Sequence, residues 1–459
     1  MRPALLLVLL CSFALHAAVP PADDAARRLT REIYQQLIEI NTTESSGNCT
    51  AAAQAMAARL KAAGFPDDDV TVLVPADAPR KGNLVARLRG TTAGKPILLL
   101  AHLDVVEASR DDWSLDPFVL TEKDGYFYGR GTSDDKAMAA IWIANLIRFK
   151  QEGWKPKRDL IVALTADEET GKSNGVAWLL ANHRPLIDAA FAINEGGGGR
   201  LKDGRHLYNG VGASEKVYIS FSLTARNKGG HSSVPRKDNA IYELAAALGR
   251  LEQHAFPVEL NEVTRAYLER MSSMEEGATA ADMKATAAGD AAAAARLSEL
   301  PIYNALLRTT CVATRLEGGH ADNALPQLAR ATVNCRVLPN DAPDDIRAAV
   351  VKAINDPGIE VTWIDTAKPS IPAPLLPEVM KPVEELSKEF WGVPVIPTMA
   401  TGASDSLYLR NAGIPSFGVS GLFAEVGDNR AHGRDERVAV TSFYDSLQFL
   451  YTLVKRMAA

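Results

Sequence analysis

Cysteine is scarce in this chain. Four occur among 459 residues, at positions 11, 49, 311 and 335, and no two form a C-x-x-C pair. A thiolate zinc site, which needs close pairing of this kind, is therefore not supported. No G-x-S-x-G elbow is present, so a serine hydrolase of that type has no support. The four glycines at 196–199 lack the lysine and the spacing of a nucleotide-phosphate loop. Nor is there an excess of positive charge. Lys and Arg total 50 against 56 Asp and Glu, a net charge of −6. That leaves no basic footprint for nucleic acid or an anionic membrane. Beyond residue 20, no apolar run is long enough for a transmembrane helix.

What is present is an ordinary globular composition, 47% hydrophobic and 23% charged, in a chain long enough for two or three domains. The first residues stand apart. Arg2 precedes the apolar run "ALLLVLLCSFALHAA". This pattern predicts a secretory signal over residues 1–18, cleaved near Ala17 or Ala18, with an uncleaved anchor as the alternative. The expected location is then secreted or periplasmic. Removal of the leader leaves Cys49, Cys311 and Cys335, so at most one internal bridge can form. Cys311 and Cys335 lie on the strand-like runs "TTCVATRLEGG" and "ARATVNCRVLP". A bridge between antiparallel strands and a pair of buried free thiols are both open readings.

Residues 24–64 read as helices broken at "NTTESSGN". The apolar runs "KGNLVARLRG", "KPILLLAHLD", "RDLIVALTADEE" and "DAAFAINEGG" follow, alternating with helical patterns. This alternation predicts an α/β fold, a mixed and mostly parallel sheet with helices on both faces. After "YNGVGASE" the order becomes β-α-β-β-α-β, which predicts an inserted ferredoxin-like α+β domain over 213–368. An alanine-rich helical insert is expected inside it at about 258–305. The first domain would then be discontinuous, over 24–212 and 369–459.

The acidic and histidine residues fall at the ends of the predicted strands. His102 and Asp104, in "LLLAHLDVV", are two apart and share one face of an extended segment. Asp134 lies in the glycine-rich turn "GRGTSDDK" before a helix. Glu168 and Glu169 stand side by side in "TADEETGKSNG", Glu195 follows another strand in "INEGG", and His432 lies in the late loop "AHGRDERV". Ligand crevices of open α/β sheets lie at these carboxyl ends. So many acids around one crevice need cations to neutralise them. Imidazole nitrogen with carboxylate oxygen suits zinc, cobalt or manganese. Two histidines and three carboxylates suffice for two metals with one shared ligand, leaving a further carboxylate to handle a proton. Paired metals activate water and polarise a carbonyl.

The motifs "LLLAHLDVV", "GRGTSDDK", "ADEETG", "NEGG", "GGHSSVP" and "AHGRDERV", in this order, resemble the di-zinc peptidases. That family includes glutamate carboxypeptidase, aminoacylase, succinyl-diaminopimelate desuccinylase and carboxypeptidase S. The resemblance covers nearly the whole chain after the leader. It implies that His102 and Glu195 hold one zinc, that Glu169 and His432 hold the other, and that Asp134 bridges them. It further implies that Asp104 orients His102 and that Glu168 is the base acting on a metal-bridging water. A cis peptide between Asp134 and Asp135 is expected on the same ground. The second domain resembles the family's lid and dimerisation domain, implying a homodimer in which His231 of "GGHSSVP" stabilises the oxyanion. Asn323, Arg336, Gly402 and Ser404 match residues that bind substrate. Cobalt or manganese would be substitutes for the two zinc ions.

Two departures are visible. Asn194 stands where several relatives have aspartate, and Ala137 replaces a common glycine. The large insert most resembles the carboxypeptidase S branch. His183, His206, His254 and His320 match no motif and read as surface or structural residues. The resulting expectation is an exported hydrolase cleaving a peptide or amide bond next to a free carboxylate. The substrate would be a small peptide or an N-acyl amino acid. The alternatives are an aminoacylase or dipeptidase of the same family and, from another class, a non-catalytic binding protein with this fold.

Overall fold

The computed structural model describes residues 21–364 and 368–459. The expected leader lies outside them. No helix among the described residues is long and apolar enough to cross a membrane.

Two buried parallel strands sit at the centre of the large domain. Ile97–His102 and Leu160–Thr165 are buried along their whole length and pair in parallel, with Phe191–Asn194 on the other side of the first. Successive side chains of a strand point to opposite faces. Ile97, Leu99 and Ala101 accordingly join the main core, while Leu98 and Leu100 join a second cluster across the sheet. Helices Asp24–Glu39, Cys49–Ala62, Lys136–Gln151, Pro377–Trp391 and Val440–Met457 supply the first face. The shorter helices Gly175–Asn182 and Ser406–Asn411 supply the second. Local rules place the helix starts. The Asp23 carboxylate, for instance, accepts the Ala26 N–H at 2.7 Å and caps the first helix.

The sheet is mixed, as the alternation predicts. It has ten strands, parallel at its centre, with antiparallel pairs such as Val70–Leu73 with Asn83–Leu88 toward its margins. The short strand Val70–Leu73 and the hairpin of Gly198–Lys202 with Arg205–Glu215 were not foreseen. The glycines at 196–199 enter that hairpin, where a Cβ on Gly197 would fall 2.0 Å from the Gly418 carbonyl oxygen.

The second unit has four antiparallel strands: Val217–Arg226, Thr310–Gly318, Leu328–Val337 and Ile359–Trp363. In chain order they lie 4-1-3-2 across the sheet, with helices Ala240–Glu252 and Pro343–Ile354 packed into a core of their own. This is the ferredoxin-like order. Its first strand starts at Val217. The preceding strand, Arg205–Glu215, stays in the large sheet, so residues 213–215 belong to the large domain. Cys311 and Cys335 are direct cross-strand partners and form a disulfide, which resolves the open choice between bridge and free thiols. Cys49 is free and buried.

The helical insert does not pack where its place in the sequence suggests. Val263, Leu268, Met271, Met283 and Leu297 are buried in the core of the large domain, not in that of the small one. Arg270 reinforces this by donating to the Val395 carbonyl and to Glu384, each at 2.7 Å. The apolar spacing of the insert showed that it packs, but not against which partner.

Candidate metal centre

Three adjacent parallel strands set up the site. His102 ends one strand in register with Thr165, and the chain beyond Thr165 turns at once into Glu168 and Glu169. Glu195 directly follows the third strand. The Glu168–Glu169 turn is held from outside. Asp167 takes a left-handed φ of 66°, its carboxylate pairs with Lys81 at 2.7 Å, and it also binds Thr170 and the Ser173 N–H. Loops bring the remaining residues. Asp134 precedes the helix Lys136–Gln151, and the peptide joining it to Asp135 is cis, as the resemblance implies. His432 comes from the loop before Arg437–Ala439.

The six side chains converge. His102 Nε2 lies 2.9 Å from Asp134 Oδ1 and 3.8 Å from Glu195 Oε1. His432 Nε2 lies 3.2 Å from Asp134 Oδ2 and 3.0 Å from Glu169 Oε2. Asp134 thus turns one carboxylate oxygen toward each histidine. Two donor groups result, His102–Asp134–Glu195 and Asp134–Glu169–His432. A third grouping, His102–Glu168–Glu169, is also compact enough to hold an ion.

The electrostatics match the donor chemistry. Burial pushes Glu195 and Glu168 well above the usual carboxylate range, and neighbouring carboxylates add to the shift. Burial and the Asp134 charge raise Glu169 to about 7. Burial opposes charging of His102, but Glu195, Asp104 and Asp134 outweigh it and raise its proton affinity. The hydrogen bond to Asp134 is the first cause lifting His432 to about 9. Imidazoles and carboxylates that hold protons so firmly are compensating for buried negative charge, and a divalent ion can replace those protons. Nitrogen and oxygen donors in two sets around one shared carboxylate fit a pair of such ions.

Asp104 plays its part differently from the expectation. His102 Nδ1 bonds to the main-chain oxygen of Asp104 at 3.0 Å, while the carboxylate lies 3.7 Å away, beyond hydrogen-bond range. The Asp104 carboxylate instead accepts the Glu169 N–H at 3.0 Å. It therefore ties the His102 strand end to the Glu168–Glu169 turn.

The other candidates lie elsewhere. His231 is exposed on the short strand Gly230–His231, which pairs with Ala324–Leu325 and so stands beside Asn323. The main chains of Ser232 and Asn323 are joined at 3.0 Å. Arg336 lies on the small domain's sheet, its guanidinium 4.8 Å from the Tyr218 ring centroid. Among the described residues, no hydrogen bond or ion pair links His231, Asn323 or Arg336 to the six-residue cluster. Gly402 is exposed. Ser404 donates to Glu215 at 2.9 Å. Asn194 donates to Ser406 at 3.1 Å, and Ala137 is fully buried. His183, His206, His254 and His320 belong to none of the donor groups.

Sequence reasoning missed two residues. Asp405, fully buried, accepts bonds from Asn174 at 2.6 Å and Thr165 at 3.1 Å behind the Glu168 turn. Burial raises it to about 6. Glu436, equally buried, anchors the Asp134 loop. Glu436 stands inside the motif "AHGRDERV", and Asp405 directly follows Ser404, both already singled out, which was the available signal.

A sequence profile of Peptidase family M20/M25/M40 matches residues 98–456. N-fatty-acyl-amino acid synthase/hydrolase PM20D1 of Xenopus tropicalis is 30% identical over 372 residues, spanning 78% of this chain and 72% of that one. Probable carboxypeptidase S-like 2 of Dictyostelium discoideum is 30% identical over 378 residues, spanning 79% of this chain and 71% of its own length. Among solved structures, an M20 family metallo-carboxypeptidase from Sulfolobus solfataricus aligns with a TM-score of 0.71. It covers 95% of this chain and all of that one at 18% identity, a likeness of fold. The profile spans most of the chain, and both relatives match over more than two thirds of each partner. The chain belongs to Peptidase family M20/M25/M40 and is a hydrolytic metallopeptidase.

Proposed function

We propose that the chain cleaves an amide or peptide bond whose amine side carries a free carboxylate, releasing an amino acid. The observation that carries this reading is the pair of donor groups sharing Asp134, with Glu168 beside them. Two divalent ions, zinc by preference with cobalt or manganese as substitutes, supply carbonyl polarisation and water activation when bound. His102 and Glu195 would hold one, Glu169 and His432 the other, and Asp134 both.

The remaining work falls to the protein. Glu168 adjoins a metal-holding residue yet lies outside the two groups that share Asp134, so it is free to accept a proton from water and pass it to the leaving amine. Its buried setting raises its proton affinity, which suits a group that must take up a proton and then release it. Arg336 offers a planar fork to the substrate carboxylate, and Asn323 would bind substrate from its place beside His231. Gly402 and Ser404 would border the substrate, and His231 would stabilise the oxyanion from a partner subunit. The small domain's edge strand Thr310–Gly318 supports such pairing, because Val312 and Leu316 are exposed on it. An N-acyl amino acid is a second substrate class of equal chemistry. It is favoured by the relative named an N-fatty-acyl-amino acid synthase/hydrolase. Export through the leader is part of the same proposal.

A release assay on N-acyl amino acids, dipeptides and longer peptides, with and without a chelator, tests the reading. Amino acid should be released from at least one class, the chelator should abolish release, and zinc should restore it. Turnover that persists without metal sinks the proposal. Glu168→Ala should keep both metals while kcat falls about 10²–10⁴-fold, the usual contribution of a general base. Loss of metal in that variant would instead make Glu168 a ligand. Arg336→Ala should raise KM for free acids about tenfold to hundredfold, as loss of a charge-assisted bond costs ~1.5–3 kcal/mol. An equal loss on amidated substrates would remove it as the carboxylate clamp. Light scattering should show a dimer, and a fully active monomer would exclude His231 from acting across subunits.

A further inference from the structure

Two of the expected metal ligands are poorly held by their own surroundings. The His432 side chain is 56% exposed, and its backbone sits at φ 63°, a left-handed conformation unusual for a residue with a Cβ. Asp435, three positions later, is also left-handed at φ 53°. Asp134 likewise lies in a loop. Neither packing nor regular secondary structure sets the distance between these two residues, yet both belong to the same donor group.

Glu436 supplies what packing does not. Its side chain is fully buried, and five donors converge on it. The N–H groups of Gly131, Ser133 and Asp134 approach at 3.0, 2.7 and 3.1 Å. The Ser133 hydroxyl lies at 2.9 Å and Arg130 Nη1 at 2.7 Å. Arg130 is itself buried, and its other terminal nitrogen donates to the Gly433 carbonyl, next to His432, at 2.8 Å. The His432 loop is therefore fastened to the loop bearing Asp134 at Gly433 and Glu436, on the carboxyl side of His432, across 302 residues of sequence. A farther tie runs from the Asp435 carboxylate to the N–H and hydroxyl of Ser114, at 2.8 and 2.7 Å.

We infer that Glu436, working with Arg130, is the positioning residue that sets the Asp134–His432 separation and so determines whether the second metal is held. The inference rests on the two-metal reading above. An anion is required at this point, because only a carboxylate accepts from all sides. The amide of glutamine would turn two N–H donors toward a ring of donors. Partners that orient metal ligands without touching the metal commonly govern affinity by tenfold to hundredfold.

The test is a metal titration of the full chain with zinc and with cobalt. The wild type should bind two ions. Fewer than two in the wild type overturns the two-metal reading itself, before any variant is made. Glu436→Gln should bind one ion as the wild type does and the other about tenfold to hundredfold more weakly. Its residual cobalt spectrum should match that of His432→Ala and differ from that of His102→Ala. kcat should fall while KM holds, and Glu436→Asp should recover part of the second binding step. Two ions held as in the wild type would overturn the inference. So would equal weakening of both sites together with a lower melting temperature of the metal-free chain, which marks a merely structural role. If Glu436→Gln fails to fold, Arg130→Lys is measured in its place, since it keeps the charge but loses the fork reaching Gly433. Selective loss of one ion then supports the inference, and unchanged binding overturns it.

Discussion

Everything at this centre follows from carboxylates being forced together out of water. Asp134, Glu168, Glu169 and Glu195 crowd around one buried imidazole and one half-exposed one. Charges of like sign in a medium less polar than water repel strongly, and without cations such groups keep protons instead. The upward shifts of Glu168, Glu169 and Glu195 are the mark of that conflict. The fold could have relieved it by neutral substitutions. It retains the acids, and retains them where three parallel strands end together.

Strands and loops solve different parts of the placement problem. His102 and Glu195 inherit their positions from the register of a buried sheet, which leaves little room for adjustment, while Glu169 follows in a turn held by Asp167 and Asp104. Asp134 and His432 have no such support and depend on hydrogen bonds made by their neighbours. The Arg130–Glu436 pair is buried on both sides, at 2.7 Å. Removing one partner of such a pair leaves an uncompensated charge, which is more damaging than the pair itself is stabilising.

The division between what could and could not be read from the sequence follows the same line. The strand-end candidates were legible because continuous apolar runs announce buried strands, and polar residues after them announce the crevice. The cis bond and the pairing of His432 with Glu169 were accessible only through family resemblance, since no spacing rule links residues so far apart. Glu436 escaped notice because three of its five donors are backbone N–H groups, which a sequence does not display. The insert escaped for another reason. Leu268 and its neighbours showed an apolar face, but sequence order placed them inside the small domain, whereas the larger core claimed them. The cysteine pair stayed undecided until strand register set Cys311 opposite Cys335.

That insert changes how the two bodies are joined. An inserted domain usually meets its host at two neighbouring crossings, here Lys216 and the segment returning to Ser370. Because the helices 262–307 rest on the large core, the chain crosses twice more, after Phe256 and before Cys311. Lys216 Nζ donates to the Arg308 carbonyl at 2.7 Å, which binds the first crossing to the last of these. A door turns on two pins set close together, whereas a table standing on four legs does not swing. Any displacement of the small domain against the large one would therefore bend these connections together. The insert thereby works against a free hinge rotation between the two bodies.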